Sequence, residues 1–215
     1  HPHESEGSVI EKPISSCVER VAVLGGAFDP FHNGHIAAIH HLLRSGSIDT
    51  VLVVPSGDRP DKPGVSSALD RLEMTRRGVK TEFAGDPRVE VSDLQVSGKV
   101  SYGTIDLVRY FESMPSKEPF FVIGQELLSD LPAWKDSAEL QSKARFLVVR
   151  RPGAEGAHDA ARGWNVTYLE PFGASGVDVS STELRDRLRV GSACDELMPK
   201  AVLSYCRERK LYSKG

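Results

Sequence analysis

Cysteine is scarce in this sequence of 215 residues: Cys17, Cys194 and Cys206 are odd in number and widely spaced. They form no C-x-x-C pair, so neither a disulfide framework nor a zinc-binding spacing organises the chain. That usage predicts a reduced, cytoplasmic setting, and none of the three is expected to be catalytic. No apolar run reaches the length of a membrane span, and no basic segment followed by an apolar one opens the chain. The reading is therefore of a protein with no membrane partner. Neither sign of charge dominates. The 27 Lys and Arg against 30 Asp and Glu leave a formal net charge of −3, which gives no reason to expect a nucleic-acid surface. Internal repeats and domain-splitting linkers are lacking too. Residues 1–17 are polar at their start and are read as an arm without a function of its own. Residues 18–215 are then expected to form a single domain, long enough for one good core.

What the sequence does have is concentrated between Leu24 and His35, Leu-Gly-Gly-Ala-Phe-Asp-Pro-Phe-His-Asn-Gly-His. The apolar run Val21 to Leu24 leads into it and reads as a strand covered on both faces. Gly25 and Gly26 allow a tight turn and bring backbone N–H groups close to a ligand. Pro30 delays the helix. From His35 the pattern is helical, with Ile36, Ile39 and Leu43 on one face. A glycine turn followed by a helix start offers N–H donors and a positive dipole end, which favour phosphate. His32 and His35, three apart, can face one ligand from the first turn. No Gly-Lys-Ser/Thr follows, so this is not a Walker A loop, and the glycines do not have the G-x-G-x-x-G spacing.

Strands and helices alternate along the rest of the chain. Val51–Val54 is a second buried strand, followed by a charged, breaker-rich loop from Ser56 to Gly64. A helix from about Ser67 to Phe83 offers Leu69, Leu72, Val79 and Phe83 to the core. Val89–Val91 begins a third strand. Ser101-Tyr102-Gly103-Thr104 precedes a helix with Ile105, Val108 and Phe111 inward, capped by Ser101 or Thr104. Phe120–Gly124, Phe146–Val149 and Val166–Leu169 are further strands, with a Gly- and Ala-rich loop from Pro152 to Gly163. Helices near Ser181–Arg189 and Pro199–Lys210 close the sequence. This order predicts an α/β, Rossmann-like, doubly wound parallel sheet with a helical C-terminal segment. Ligands bind such sheets at the strands' carboxyl ends, where the histidine motif lies.

The second informative stretch is Val179-Ser180-Ser181-Thr182-Glu183-Leu184-Arg185. Ser180 and Glu183 fit a capping box. Hydroxyls and N–H groups at a helix start, with an Arg one turn on, make a second anion clamp. Two clamps far apart in sequence suit a triphosphate and a monophosphate meeting head to head.

The pattern G-x-F-D-P-x-H-x-G-H resembles the signature of the nucleotidyltransferases that carry a His-x-Gly-His motif. Among these the chain is most similar to the nicotinate mononucleotide adenylyltransferases, from about Val21 to Tyr212. The segment from Ser180 to Arg185 resembles that family's closing Ser-Ser/Thr-x-x-Arg motif. The resemblance implies attack of a mononucleotide 5′-phosphate on the α-phosphorus of ATP, giving a dinucleotide and pyrophosphate. The attacking group is ionised at neutral pH, so positioning and electrostatics carry the catalysis. It further implies that His32, His35 and Arg185 are catalytic. Gly25, Gly26, Ala27, Phe28, Gly34, Gly124, Glu126, Ser181 and Thr182 would bind ATP and its phosphates, with Mg²⁺ carried on the triphosphate. Lys62, Tyr102, Gly103, Thr104 and Trp134 would bind the pyridine nucleotide.

The chain departs from the family's pattern at two places. Asp61 replaces a His beside Lys62, and Gln125-Glu126 stands where Ala-Asp is usual. Rival readings are a nicotinamide mononucleotide adenylyltransferase, a phosphopantetheine-type adenylyltransferase and a nucleotide-binding regulator without activity. The helix start at Ser101–Thr104 favours the acid substrate, because converging N–H donors suit a carboxylate. A homo-oligomer is left open.

Overall fold

The computed structural model describes residues 17–59, 64–150, 158–170 and 179–213. Strands β1 (Glu19–Gly26), β2 (Thr50–Pro55), β3 (Val89–Val91), β4 (Lys117–Gly124), β5 (Arg145–Val149) and β6 (Asn165–Leu169) form one sheet in the order β3-β2-β1-β4-β5-β6. Every strand pairing is parallel. The order reverses between β1 and β4, the switch point at which doubly wound sheets open a crevice.

The continuous apolar runs arise because both faces of the sheet are covered. Ala22 and Leu24 of β1, Val51 and Val53 of β2 and Phe120 and Val122 of β4 join one core. Helices α1 (Asn33–Arg44), α2 (Ala68–Glu82), α5 (Ser181–Arg189) and α6 (Lys200–Glu208) contribute Ile39, Met74, Leu184 and Val202 to it. The alternate residues Val21, Val23, Val54, Phe121 and Ile123 face the opposite core. There they meet α3 (Thr104–Glu112), α4 (Ser137–Lys143) and a 3-10 helix, Gln125–Ala133, through Ile105, Leu140, Leu128 and Leu131.

The alternation, the six strands and the closing helices match the sequence reading, with three differences. Leu69 is 73% exposed instead of buried. It falls in helical phase with Glu73, Arg76 and Lys80 on the solvent side, while Arg71, Leu72, Met74, Thr75, Gly78 and Val79 occupy the inner side. Helix α3 is capped by Gly103, with neither Ser101 nor Thr104 supplying the cap, and Asp106 in its first turn accepts from the Gly103 N–H at 3.0 Å. The 3-10 helix and α4 have no counterpart in the sequence reading: Pro132 and the short length hid them. The arm before Cys17 lies outside the described residues, as does the first part of the loop from Pro152 to Gly163. The rest of that loop contains a 3-10 turn at His158–Ala161.

Candidate active site

The turn after β1 differs locally from what its glycines suggest. Phe28 adopts the left-handed conformation, with φ of 54°, a backbone state that few non-glycine residues occupy. Its buried ring lies over Gly26, where an added Cβ would meet ring atoms 3.2 Å away. Gly26 therefore makes room for Phe28, and Phe28 makes the turn. Phe31 in turn packs onto Gly78 of α2, which fixes the following segment on the core.

His32 is the N-cap of α1. Its Nδ1 accepts the Gly34 N–H at 3.0 Å, and Nδ1 of His35 accepts the His32 N–H at 3.0 Å. The imidazoles thus form a reciprocal capping box with histidine in both roles. Because each Nδ1 is an acceptor, the neutral rings carry their proton on Nε2, which becomes a donor. The two rings stack with centroids 3.7 Å apart, and Phe28 and Phe31 flank His35 at 4.8 and 5.3 Å. Burial lowers the pKa of His32 to about 4. Burial, and then the neighbouring His32, push His35 well below the ordinary value. Both are neutral at physiological pH, so they offer directed N–H donors and no charge.

The second motif meets the first through backbone. Ser180 caps α5 by accepting the Glu183 N–H at 3.1 Å, while the Glu183 carboxylate pairs with Arg187 at 3.1 Å. Only half of the expected capping box therefore forms. Arg185 donates to the Asp29 carbonyl at 2.8 Å and to Thr182 Oγ1 at 3.3 Å, and Ser181 Oγ donates to the Pro30 carbonyl at 3.2 Å. The start of α5, with its outward N–H groups and its Arg, is thereby seated against the glycine–histidine turn.

A second group of expected residues gathers around Tyr102. Tyr102 is 38% exposed. The Arg59 guanidinium lies 4.9 Å from the ring centroid and Lys135 Nζ lies 5.1 Å away, an arrangement that places two cations on one aromatic. Lys135 also pairs with Asp106 at 3.0 Å beside the start of α3, where Gly103 and Thr104 sit. Trp134 is partly buried, with its ring 6.5 Å from that of Phe146. At the end of β4 a Cβ on Gly124 would collide with the Glu126 carboxylate, which folds back over it. Gln125 is buried, and its Oε1 has no hydrogen-bond partner among the described residues. Lys62 and Asp61 lie outside the described residues.

Several residues that hold the site together were not singled out by the sequence reading. Arg71, 1% exposed, donates from Nη1 to the carbonyls of Ala27 and Ser56 at 3.0 and 2.7 Å, and from Nε to the Ser66 carbonyl at 3.3 Å. It joins the loops after β1 and β2. Its signal was its helical phase, shared with Thr75 and Gly78 on the inner side of α2. Gln95 donates to the Ser101 carbonyl at 2.8 Å and supports the loop before α3. Asn33 ties α1 to residues 196 and 197 through bonds of 3.0 Å.

The starts of α1 and α5 meet at the carboxyl edge of a doubly wound sheet, beside its switch point, and form the ligand crevice of a Rossmann-like α/β protein. Residues 23–187 match the Cytidylyltransferase-like family. A relative from Opitutus terrae, described as a probable nicotinate-nucleotide adenylyltransferase, is 35% identical over 199 residues, covering 90% of this chain and 97% of its own. One of the same description from Leifsonia xyli subsp. xyli is 34% identical over 194 residues, covering 90% and 94%. The structure of Plasmodium falciparum nicotinic acid mononucleotide adenylyltransferase complexed with NaAD has the same fold, with a TM-score of 0.77 at 19% identity over 90% of this chain and 97% of that one. The chain belongs to the cytidylyltransferase-like family and, within it, to the nicotinate-nucleotide adenylyltransferases.

Proposed function

We propose that the protein transfers the AMP part of ATP to nicotinate mononucleotide, forming deamido-NAD and pyrophosphate as a step of cytoplasmic NAD biosynthesis. The observation that carries this reading is the seating of Arg185 and Ser181 on the carbonyls of Asp29 and Pro30, next to His32 and His35. It supports a reading in which Arg185, the cationic clamp for a triphosphate, is seated on the turn that leads into His32 and His35, whose neutral N–H donors suit the α-phosphate.

In the proposed reaction a 5′-phosphate oxygen of the mononucleotide attacks the α-phosphorus, and the bond from that phosphorus to the bridging oxygen of pyrophosphate breaks. The attacking oxygen is already anionic, so no base is needed. Nε2–H of His32 and of His35 donate to the α-phosphate oxygens as their charge rises, with no reorganisation at the moment of reaction. Arg185 holds the β- and γ-phosphates, with Ser181, Thr182 and the N–H groups at the start of α5. Gly25, Gly26, Ala27, Phe28 and Gly34 supply close backbone approach, and Gly124 and Glu126 flank the adenosine. Tyr102, Gly103, Thr104 and Trp134 accept the pyridine nucleotide, with Lys62 from the adjoining loop. Mg²⁺ enters with ATP, bound to its phosphates. Among the described residues no group of three or more His, Cys, Asp or Glu side chains could hold a metal, and no helix there is long and apolar enough to cross a membrane.

The test is pyrophosphate release from ATP and Mg²⁺ with nicotinate mononucleotide, nicotinamide mononucleotide or phosphopantetheine. Release with the first, and a product of deamido-NAD mass, is the expected result. Release only with phosphopantetheine, or none with any acceptor, would refute the assignment.

A further inference from the structure

The stretch that follows α6, Arg209-Lys210-Leu211-Tyr212-Ser213, contains no glycine. It nevertheless turns back sharply. The Lys210 N–H bonds to the Arg207 carbonyl at 3.2 Å and the Leu211 N–H to the Cys206 carbonyl at 2.9 Å, the pair of bonds of a Schellman motif. Lys210 takes the left-handed position at φ 52°, and Tyr212 repeats it at φ 61°. A side chain resists this conformation, so two such residues in three persist only where surrounding contacts fix them.

The contact that fixes them is at the site. Tyr212 O–H donates to Oδ1 of Asp29, across 183 residues of sequence. Asp29 is 4% exposed. The same Oδ1 accepts Ser66 O–H at 2.5 Å, and Oδ2 accepts the N–H groups of Val65 at 2.9 Å and Ser66 at 3.3 Å. The backbone carbonyl of this Asp29 is the acceptor for Arg185. On the other side, the Ser66 carbonyl accepts from Arg71, which also holds Ala27. One hydrogen-bonded chain therefore runs from Tyr212 through Asp29 to Arg185, and through Ser66 and Arg71 to the turn after β1.

We infer that Tyr212 is a positioning residue for the ATP phosphate clamp: it fixes the Asp29 carboxylate, and with it the carbonyl on which Arg185 is seated. The inference rests on the reading of Arg185 as that clamp. Two physical needs meet here. A buried carboxylate requires hydrogen-bond donors for both of its oxygens. The carboxylate must also be held in one direction, so that the backbone carbonyl of the same residue stays aimed at Arg185. Burial and the neighbouring Asp29 push the Tyr212 hydroxyl above its ordinary pKa, so it remains a donor throughout the working pH range.

The experiment compares wild type with Tyr212→Phe, which keeps the ring and deletes the hydroxyl. Ser66→Ala serves as a second variant acting on the same carboxylate. Steady-state kinetics with ATP and nicotinate mononucleotide, thermal unfolding, and calorimetric titration of MgATP are measured for each. Expected for Tyr212→Phe is a KM and Kd for ATP raised about three- to tenfold with kcat lowered by a similar factor, and an unchanged KM for the mononucleotide. Ser66→Ala should give the same split. Wild-type constants in folded Tyr212→Phe, or an equal rise in both KM values, would overturn the inference. So would a lower melting temperature with unchanged constants, which would make the residue a staple of the fold. A wild-type protein that binds MgATP but joins it to neither pyridine mononucleotide would refute the proposed reaction, while the calorimetric comparison would still decide the role of Tyr212.

Discussion

Arg185 donates to the backbone carbonyl of Asp29 at 2.8 Å, although 156 residues separate them in sequence. The bond joins the start of α5 to the glycine–histidine turn, the two motifs proposed to bind phosphate. It also places a cation whose removal should be felt by ATP. For Arg185→Ala the Kd for MgATP, read by calorimetry, should rise about ten- to hundredfold, the scale of a lost charge-assisted hydrogen bond. Unchanged affinity would place the triphosphate elsewhere.

The stacked histidines predict a pH dependence of stability. The folded-state pKa of His32 is about 4 and that of His35 is also lowered, both from an ordinary value of 6.5. Between these values the unfolded chain takes up protons that the folded one refuses. The contribution is therefore fully present above pH 6.5 and is lost as pH falls toward 4, by at most about 1.4 kcal/mol per pH unit for each ring. Less buried His41, also lowered, adds in the same direction. Urea denaturation from pH 7.5 to 5 should show stability declining, and the double variant His32→Gln, His35→Gln should decline less steeply. Parallel slopes would mean that the rings are charged in the fold.

Arg71 is the clearest structural demand that the sequence concealed. Its guanidinium is buried and satisfies the carbonyls of Ala27, Ser56 and Ser66. Arg71→Met fills the space but leaves those acceptors without a donor, at a cost of about 3 kcal/mol. Chemical denaturation should show that loss, and Arg71→Lys should recover only part of it, because one ammonium cannot span the same fork. A change within about 0.5 kcal/mol, the ordinary range for a surface substitution, would contradict the role.

These cases mark what could be read from sequence. The strands β1, β2, β4 and β5 were legible because each carries a continuous apolar run, β3 and β6 from their place in the alternation, and the glycine–histidine turn because its residue types and order suit phosphate. The helix α5 was legible from its Ser180 cap. Arg71 was not, since a charged residue in an amphipathic helix normally faces water and only the phase of Thr75 and Gly78 points inward. Leu69 misled for the converse reason. Tyr212 could not be tied to Asp29 from sequence, because no periodicity links residues 183 apart. The Gly103 cap was obscured because its N–H donates to the carboxylate of Asp106, three residues on.

The same cap bears on acid against amide. Asp106 occupies the Gly103 N–H with Oδ2, while Lys135 contacts both carboxylate oxygens at 3.3 and 3.0 Å. An amide substituent would need an acceptor for its NH₂, and the Asp106 carboxylate is already committed to these partners. In the proposed pyridine site a carboxylate substituent would face the start of α3 and the cations Arg59 and Lys135 that lie over Tyr102, each of which favours negative charge. The kcat/KM for nicotinate mononucleotide should exceed that for the amide by at least about tenfold, roughly 1.4 kcal/mol. Lys135→Met should reduce the value for the acid by about tenfold and that for the amide by less than about threefold, because only the former loses a charge partner. Equal values for the two substrates in the wild type, or an equal loss for both in the variant, would mean that this helix start does not read the carboxylate.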